Sequence, residues 1–417
     1  MPSKTLTFVF AAERGTPWPL TEHRCKAAVP VAGKYRVIDF TLANCLHSGL
    51  RQVLVLTQYK SHSLHKHLRD GWSLFNAELG EFITAVPPQM RYDSGWYRNA
   101  MDALRQNRYL IERSSADRVL LLDGGLVYRM DYAALIRFHC EQGAGISCAL
   151  RQAEPGTAST AVAVDAAERI SAMQPSPEAD DGDLSTMGVV LIDKALLLEH
   201  IETLAEISAA ELDAEVATGV ASGMESGKDL ATQLLSPFLD GRAFMPSPPL
   251  AYGFGGERGR VSQDRYWSDL GSTDAYFRAN MDLLKADSPL NLYQTDWHIP
   301  TYQGQYPPAR TVPGPSSGNE GIFVNSMLAA GTLIRGGGVS HSVLYPRVEV
   351  EDGAIVDEAI LFEGVRVGAN ARIRRCICDK DVLIPAGAII GEDRRADAER
   401  FEVSDEGIVV IRKGQVL

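Results

Sequence analysis

Residues 118–122, Arg-Val-Leu-Leu-Leu, form a short apolar run that ends at Asp123-Gly124-Gly125. Such a run reads as a buried strand, and the glycine pair supplies the turn after it. Enzymes of the α/β class that handle phosphates place a carboxylate at a strand tip of this kind, where it holds magnesium. Here the tip is glycine, so the turn is present and its chemistry is not. The six cysteines, Cys25, Cys45, Cys140, Cys148, Cys376 and Cys378, lack zinc-ligand spacing. Cys376 and Cys378 read as side chains on opposite faces of a strand, which suits neither a disulfide nor a metal. Reduced thiols of a cytoplasmic protein are expected.

The strand tip needs a scaffold. Apolar, strand-like runs recur at 6–12, 53–57, 119–122, 146–150 and 189–192, separated by helix-like segments at 40–48, 100–112 and 132–141. That alternation predicts an α/β domain over 1–285 with a largely parallel sheet and helices on both faces. Ligands of such sheets bind beyond the carboxyl ends of the strands, at the loops after residues 12 and 122. The N-terminal Leu-Thr-Phe-Val-Phe-Ala-Ala reads as the first buried strand, being too short for a signal h-region. The acidic stretch 175–185 is expected to be a mobile loop, and the proline-rich 286–320 a linker or docking segment.

From about residue 321 the chain has a period. Val348, Val365 and Val382 are 17 apart, as are Val350, Val367 and Ile384, and as are Gly353, Asn370 and Gly387. Short β-branched runs punctuated by Gly or Asn in this register predict the coils of a parallel β-helix over 321–417. A short solenoid leaves an open edge, so oligomerisation is expected. The composition sets limits on partners. Lys+Arg 41 against Asp+Glu 53 gives −12, which argues against nucleic acid or anionic membrane as the main partner. No run approaches the ~20 apolar residues of a membrane span.

Several stretches line up in order: ERGTPWPLTEHRCKAAVPVAGKYRVIDFTLANCLHSGL (13–50), LTQYKSHSLHKHLRDGWSLFN (56–76), GWYRNAMDAL (95–104), STMGVV (185–190), SGKDL (226–230) and YWSDLGSTDAYFRANMDLL (266–284). Followed by a β-helix, they resemble ADP-glucose pyrophosphorylase (glucose-1-phosphate adenylyltransferase), the bacterial glycogen-pathway family, over essentially the whole chain. The resemblance implies a Rossmann-like nucleotidyltransferase domain plus a left-handed parallel β-helix that serves regulation and oligomerisation. It implies a reaction in which glucose 1-phosphate attacks the α-phosphorus of ATP and pyrophosphate leaves, with magnesium and basic residues neutralising charge.

Measured against the family's residues, the catalytic set is degraded. The family's Gly-Gly-Arg-Gly-Thr-Arg-Leu loop reads Ala12-Glu13-Arg14-Gly15-Thr16-Pro17-Trp18. Glu13 brings a negative charge beside phosphates, a repulsion of about 1 kcal/mol at 4 Å in water, and the second arginine is gone. Gly125 stands where the family's strand-tip aspartate holds magnesium. Asp123 lies two positions away and is not its equivalent. Asp269 remains as a partial metal site, and Lys26 is retained. Gln174 replaces the lysine that binds the sugar phosphate. Arg14, Gly15, Tyr97, Asp102, Thr186 and Glu225 are remnants of the substrate contacts. Magnesium is therefore expected to bind weakly or not at all.

A second set is kept. Arg24, Arg36, Gln58, Ser63, Arg91, Trp96, Arg98 and Lys380 match family positions at or beside the regulatory site. The reading that follows is an inactive or very weak regulatory subunit, assembled with an active ADP-glucose pyrophosphorylase subunit as a hetero-oligomer or with itself as a homotetramer. Its effector would be a phosphorylated metabolite or a nucleotide. The alternatives are an active glucose-1-phosphate adenylyltransferase and a stand-alone sugar-phosphate or nucleotide sensor.

Overall fold

The computed structural model describes residues 4–12, 18–91, 95–176, 178–217, 228–256, 258–261, 264–415 and 417. The chain falls into two compact units, one made of Met1–Arg14, Phe40–Trp267 and Asp296–Ile299, the other of Gly15–Asp39, Ser268–Thr295 and Pro300–Leu417.

The first unit is built on a nine-stranded sheet. Its centre is the strand Thr5–Ala11, all of whose residues are buried, as its run of Leu, Phe and Val side chains requires of a strand covered on both faces. It pairs in parallel with Gln52–Thr57 and with Arg118–Asp123, and Gln52–Thr57 pairs in parallel with Phe82–Val86. The register aligns Ala11 with Thr57 and Phe10 with Asp123, so the three carboxyl ends reach one edge together. Beyond Arg118–Asp123 the sense changes. The strand Leu184–Asp193 runs antiparallel to it, to Ile146–Gln152 and to Ser159–Val164, and Ile170–Ser176 closes that edge antiparallel to Ser159–Val164. The parallel half carries the strand-tip loops.

Two local expectations change. The helix expected over 100–112 is two, Ala100–Gln106 and Arg108–Arg113, broken at Asn107. Asn107 is buried, and its amide donates to Ala103 O and to Tyr97 Oη, so the side chain competes with the helix ladder and ends it. The acidic stretch 175–185 is tied down rather than loose. Residues 175–176 and 184–185 lie in strands, and Ala179 exchanges backbone hydrogen bonds with Gly156 and Thr157. In the proline-rich segment Trp297 is 1% exposed, donates to Asn44 Oδ1 at 3.1 Å and stacks on the His47 ring.

The second unit contains the β-helix. Val350 pairs with Val367 and Val367 with Ile384, one 17-residue coil apart each time, and Val348, Val365 and Val382 are buried inside. The corner residues Gly353, Asn370 and Gly387 have φ of +70°, +57° and +70°. That left-handed region is reached without strain by glycine and tolerated by asparagine, which is why these types punctuate the sequence period. The strand Arg372–Cys378 corrects one expectation. Cys376 and Cys378 lie on the same face, both fully buried, with sulfurs 3.6 Å apart as free thiols. Residues two apart on a strand share a face, so the opposite-face expectation misapplied the period.

Candidate functional site

In the first unit the strand tip is a closed turn. Gly124 N–H donates to Phe10 O at 2.9 Å, and a Cβ on Gly124 would lie 2.9 Å from that same oxygen and from Val9 Cγ1. Glycine at 124 is therefore dictated by close approach. Asp123 Oδ1 accepts the N–H of Gly125 at 2.7 Å, so the one carboxylate at this tip works to close the turn.

The residues expected to be remnants of substrate contacts in this unit are likewise held in the scaffold. Tyr97 is buried, accepts from the Asn107 amide at 2.9 Å, and has its hydroxyl pushed up to about 12 by that burial. Asp102 is 3% exposed and accepts from Arg98 N–H, Arg105 and the Gln106 amide. It anchors the helix start that Asn99 caps. Thr186 donates to the carboxylate of Asp229, which also caps the Leu230–Leu239 helix by accepting Thr232 N–H at 2.7 Å. Gln174 is exposed on the edge strand opposite Ala161, an uncharged amide where the family's pattern has an ammonium. Glu13, Arg14, Gly15 and Glu225 lie outside the described residues.

The retained set in this unit is dispersed in role. Gln58 donates to Ala12 O at 2.6 Å and accepts Tyr97 N–H at 2.9 Å, clamping the end of the first strand to the 97 segment. Trp96, 40% exposed, meets Tyr59 edge-on. Arg91 lies 3.6 Å over the Tyr109 ring, Arg98 pairs with Asp213, and Ser63 Oγ is buried with no hydrogen-bond partner among the described residues.

The second unit brings three of the retained cations into one network. Arg24 and Asp379, 5% and 3% exposed, form an ion pair at 2.7 Å, and the Arg24 guanidinium lies 5.8 Å over the Phe362 ring. Among the described residues, Arg24 Nη1 is buried and has no hydrogen-bond partner. Lys380 pairs with Glu363 at 3.1 Å, and Glu363 also accepts from Tyr306 and Arg347. Burial alone would raise the Glu363 carboxyl, but the Lys380 charge, the two hydrogen bonds and Arg347 outweigh it and hold it at about 2. Arg36 donates to Ala28 O, and burial lowers its basicity, with Asp39 opposing and Arg24 adding to the fall. Burial and the charge of Arg36 likewise lower Lys380. Sequence reasoning passed over Asp379 and Glu363. The coil period could have found the second, since Glu363 sits 17 residues before Lys380.

Of the positions expected to carry catalysis, Lys26 and Asp269 lie among the described residues of this unit. Lys26 is hydrogen-bonded to Asp269, with side chains 14% and 49% exposed. The family's magnesium needs carboxylates to hold it, and among the described residues those at the expected positions are already engaged. The tip of the first unit offers only Asp123, engaged by Gly125, and Asp269 of the second is engaged by Lys26. Among the described residues no group of three His, Cys, Asp or Glu could hold a metal ion. Among the described residues, Asp123 and Asp269, each engaged as above, do not fit a two-carboxylate magnesium site as they stand.

Residues 14–286 match the nucleotidyl transferase family, and residues 307–411 match the GlmU-like C-terminal hexapeptide family, whose repeats agree with the left-handed β-helix. No helix among the described residues is long and apolar enough to cross a membrane. The chain is 44% identical over 417 residues to the protein named glucose-1-phosphate adenylyltransferase 2 of Vibrio cholerae, covering 98% of this chain and 97% of that one. It is 45% identical over 402 residues to the protein of the same name from Vibrio parahaemolyticus, covering 94% of each. Likeness along both units, with the family's motifs in order, settles the ancestry even where single catalytic positions differ: the chain belongs to the glucose-1-phosphate adenylyltransferase family.

Proposed function

We propose that this chain is a glucose-1-phosphate adenylyltransferase homologue that no longer catalyses at a useful rate and serves as a regulatory subunit beside an active paralogue in glycogen synthesis. The observation that carries this reading is the state of the charge-handling positions. Gly125 has no carboxylate, Gln174 has no charge, and Lys26 and Asp269 neutralise each other. A preorganised charge-stabilising group is commonly worth ~10²–10³ in rate, so losing several together leaves little. Magnesium binding is correspondingly weak or lost.

The regulatory half of the proposal draws on the second unit. Arg24, Arg36 and Lys380 gather there, and among the described residues Arg24 Nη1 is buried without a hydrogen-bond partner. Such a cluster suits an anionic effector, a phosphorylated metabolite or a nucleotide. The strand Ile322–Val324 pairs on one side with Gly338–Ser340 and has all three residues exposed, which favours assembly into a hetero-oligomer, a tetramer by closed symmetry. The test is to co-express this chain with an intact homologue, weigh the complex, and titrate the active chain's rate with effector. A mixed complex whose effector midpoint shifts with Arg36→Ala in this chain supports the proposal. Separate elution with unchanged kinetics of the active chain refutes it. The relatives' name favours a second reading, a working adenylyltransferase, which a pyrophosphate-release assay on the chain alone decides.

A further inference from the structure

The antiparallel half of the first unit's sheet has one face packed and the other recessed. Leu150, Leu184, Val162 and Met173 turn into the hydrophobic core. Their chain neighbours Arg151, Ser185, Ala161 and Gln174 form a row on the opposite face, each paired with the next across four strands. The ends of the row are three strand spacings apart, about 14 Å. A polar outer face is ordinary for an antiparallel sheet. This one is not open: Ser185, in the middle of the row, is 3% exposed.

Two buried polar atoms belong to this face. Ser159 precedes Ala161 by two residues and so shares its face, and Trp267 meets the row at Arg151. Ser159 Oγ and Trp267 Nε1 are buried with no hydrogen-bond partner among the described residues. Such groups cost stability until something supplies the missing bond. The Trp267 ring is also a platform for Arg151, whose guanidinium lies 3.8 Å from the ring centroid. A bond from Arg151 Nη1 to Gln152 O at 2.9 Å fixes the guanidinium further. A stacked guanidinium is a rigid planar fork, and its natural acceptor is a flat group with two oxygens.

We infer that this recess takes a hexose bearing a carboxylate, with the carboxylate on Arg151. One cation, an indole N–H, and neutral hydroxyl and amide groups together match a polyhydroxylated monoanion. The cation of the row stands at 151, at the far end from the uncharged amide at 174. An acid group at the 151 end of a bound sugar meets the fork, while its hydroxyls face Ser159, Ser185 and Gln174. A neutral hexose has nothing to offer Arg151 beyond a single hydroxyl, so the row discriminates by charge. The site lies in the first unit and stands whether or not the second unit regulates a partner.

The test is calorimetric titration of the full chain with glucuronate and with glucose, each up to about 10 mM. Glucuronate should bind about tenfold or more tighter than glucose. Arg151→Gln should abolish that preference with circular dichroism and melting unchanged. Arg151→Lys, which keeps the charge and loses the fork, should restore only part of it. Trp267→Phe, which removes the indole N–H, should weaken glucuronate about threefold or more. Absence of glucuronate binding overturns the inference, as does equal affinity for the two sugars or wild-type glucuronate affinity in Arg151→Gln. If the affinity falls with Arg36→Ala and not with Arg151→Gln, the sugar acid sits in the second unit. That result overturns the inference and leaves the regulatory proposal in place.

Discussion

Replacing Arg24 with alanine should damage the fold of the second unit before it touches any effector response. The arginine and Asp379 are 5% and 3% exposed, so deletion of the cation leaves a buried carboxylate without its partner. Breaking a buried pair from one side costs about 3–5 kcal/mol. Asp379 keeps one compensating bond, from the N–H of Lys380 at 2.7 Å, which puts the expectation at the lower end of that range. For a unit of this size the loss corresponds to a fall of roughly 6–12 °C in melting temperature. The assay is scanning calorimetry on wild type, Arg24→Ala, Asp379→Asn and the double variant Arg24→Met, Asp379→Leu. The double variant should recover most of the loss, since an apolar pair removes both desolvation costs at once. If Arg24→Ala melted within about 2 °C of wild type, the pair would not be structural and the buried-charge reasoning would fail.

The other predictions concern titration, thiols and repair. Glu363 is held at about 2 against an ordinary 4.5, so its contribution is complete above pH 4.5 and is lost as pH falls from there towards 2. A shift of that size is worth up to about 3 kcal/mol. Glu363→Gln should therefore melt well below wild type at pH 7, with the gap closing under pH 4; an unchanged gap would contradict the assignment. Of the six cysteines only Cys140 is exposed, so a native thiol titration should count one per chain and six after denaturation. Native modification of Cys376 or Cys378 would contradict their burial. Gly125→Asp and Gln174→Lys should each leave the chain inactive singly, because the other gaps remain, and a single repair reaching normal turnover would show that the rest of the site is intact.

What the sequence disclosed depended on the length scale of the cause. The β-helix was readable because its coils repeat, and the corners at Gly353, Asn370 and Gly387 betray their φ through residue type. The central strands were readable because burial on both faces forces unbroken apolar runs such as Thr5–Ala11. The break at Asn107 was not, since it depends on a hydrogen bond to Tyr97 that no local pattern announces. Of the candidate site, absences such as Gly125 and Gln174 could be read directly. The engagements could not. That Arg24 is paired with Asp379 and Lys26 with Asp269 follows from packing between residues far apart in the chain, whereas Lys380 and Glu363, one coil apart, are the exception that the period could have disclosed. Residue type alone could not show that Arg24 gives one nitrogen to Asp379 and, among the described residues, leaves Nη1 without a hydrogen-bond partner.

The central claim is that the chemistry has left a family scaffold, and pyrophosphate release from ATP and glucose 1-phosphate by the purified chain with magnesium tests it most directly. Set beside an intact relative under the same conditions, the chain should be slower by ~10³-fold or more. A turnover within the usual enzyme range of ~1–10³ s⁻¹ would contradict the account.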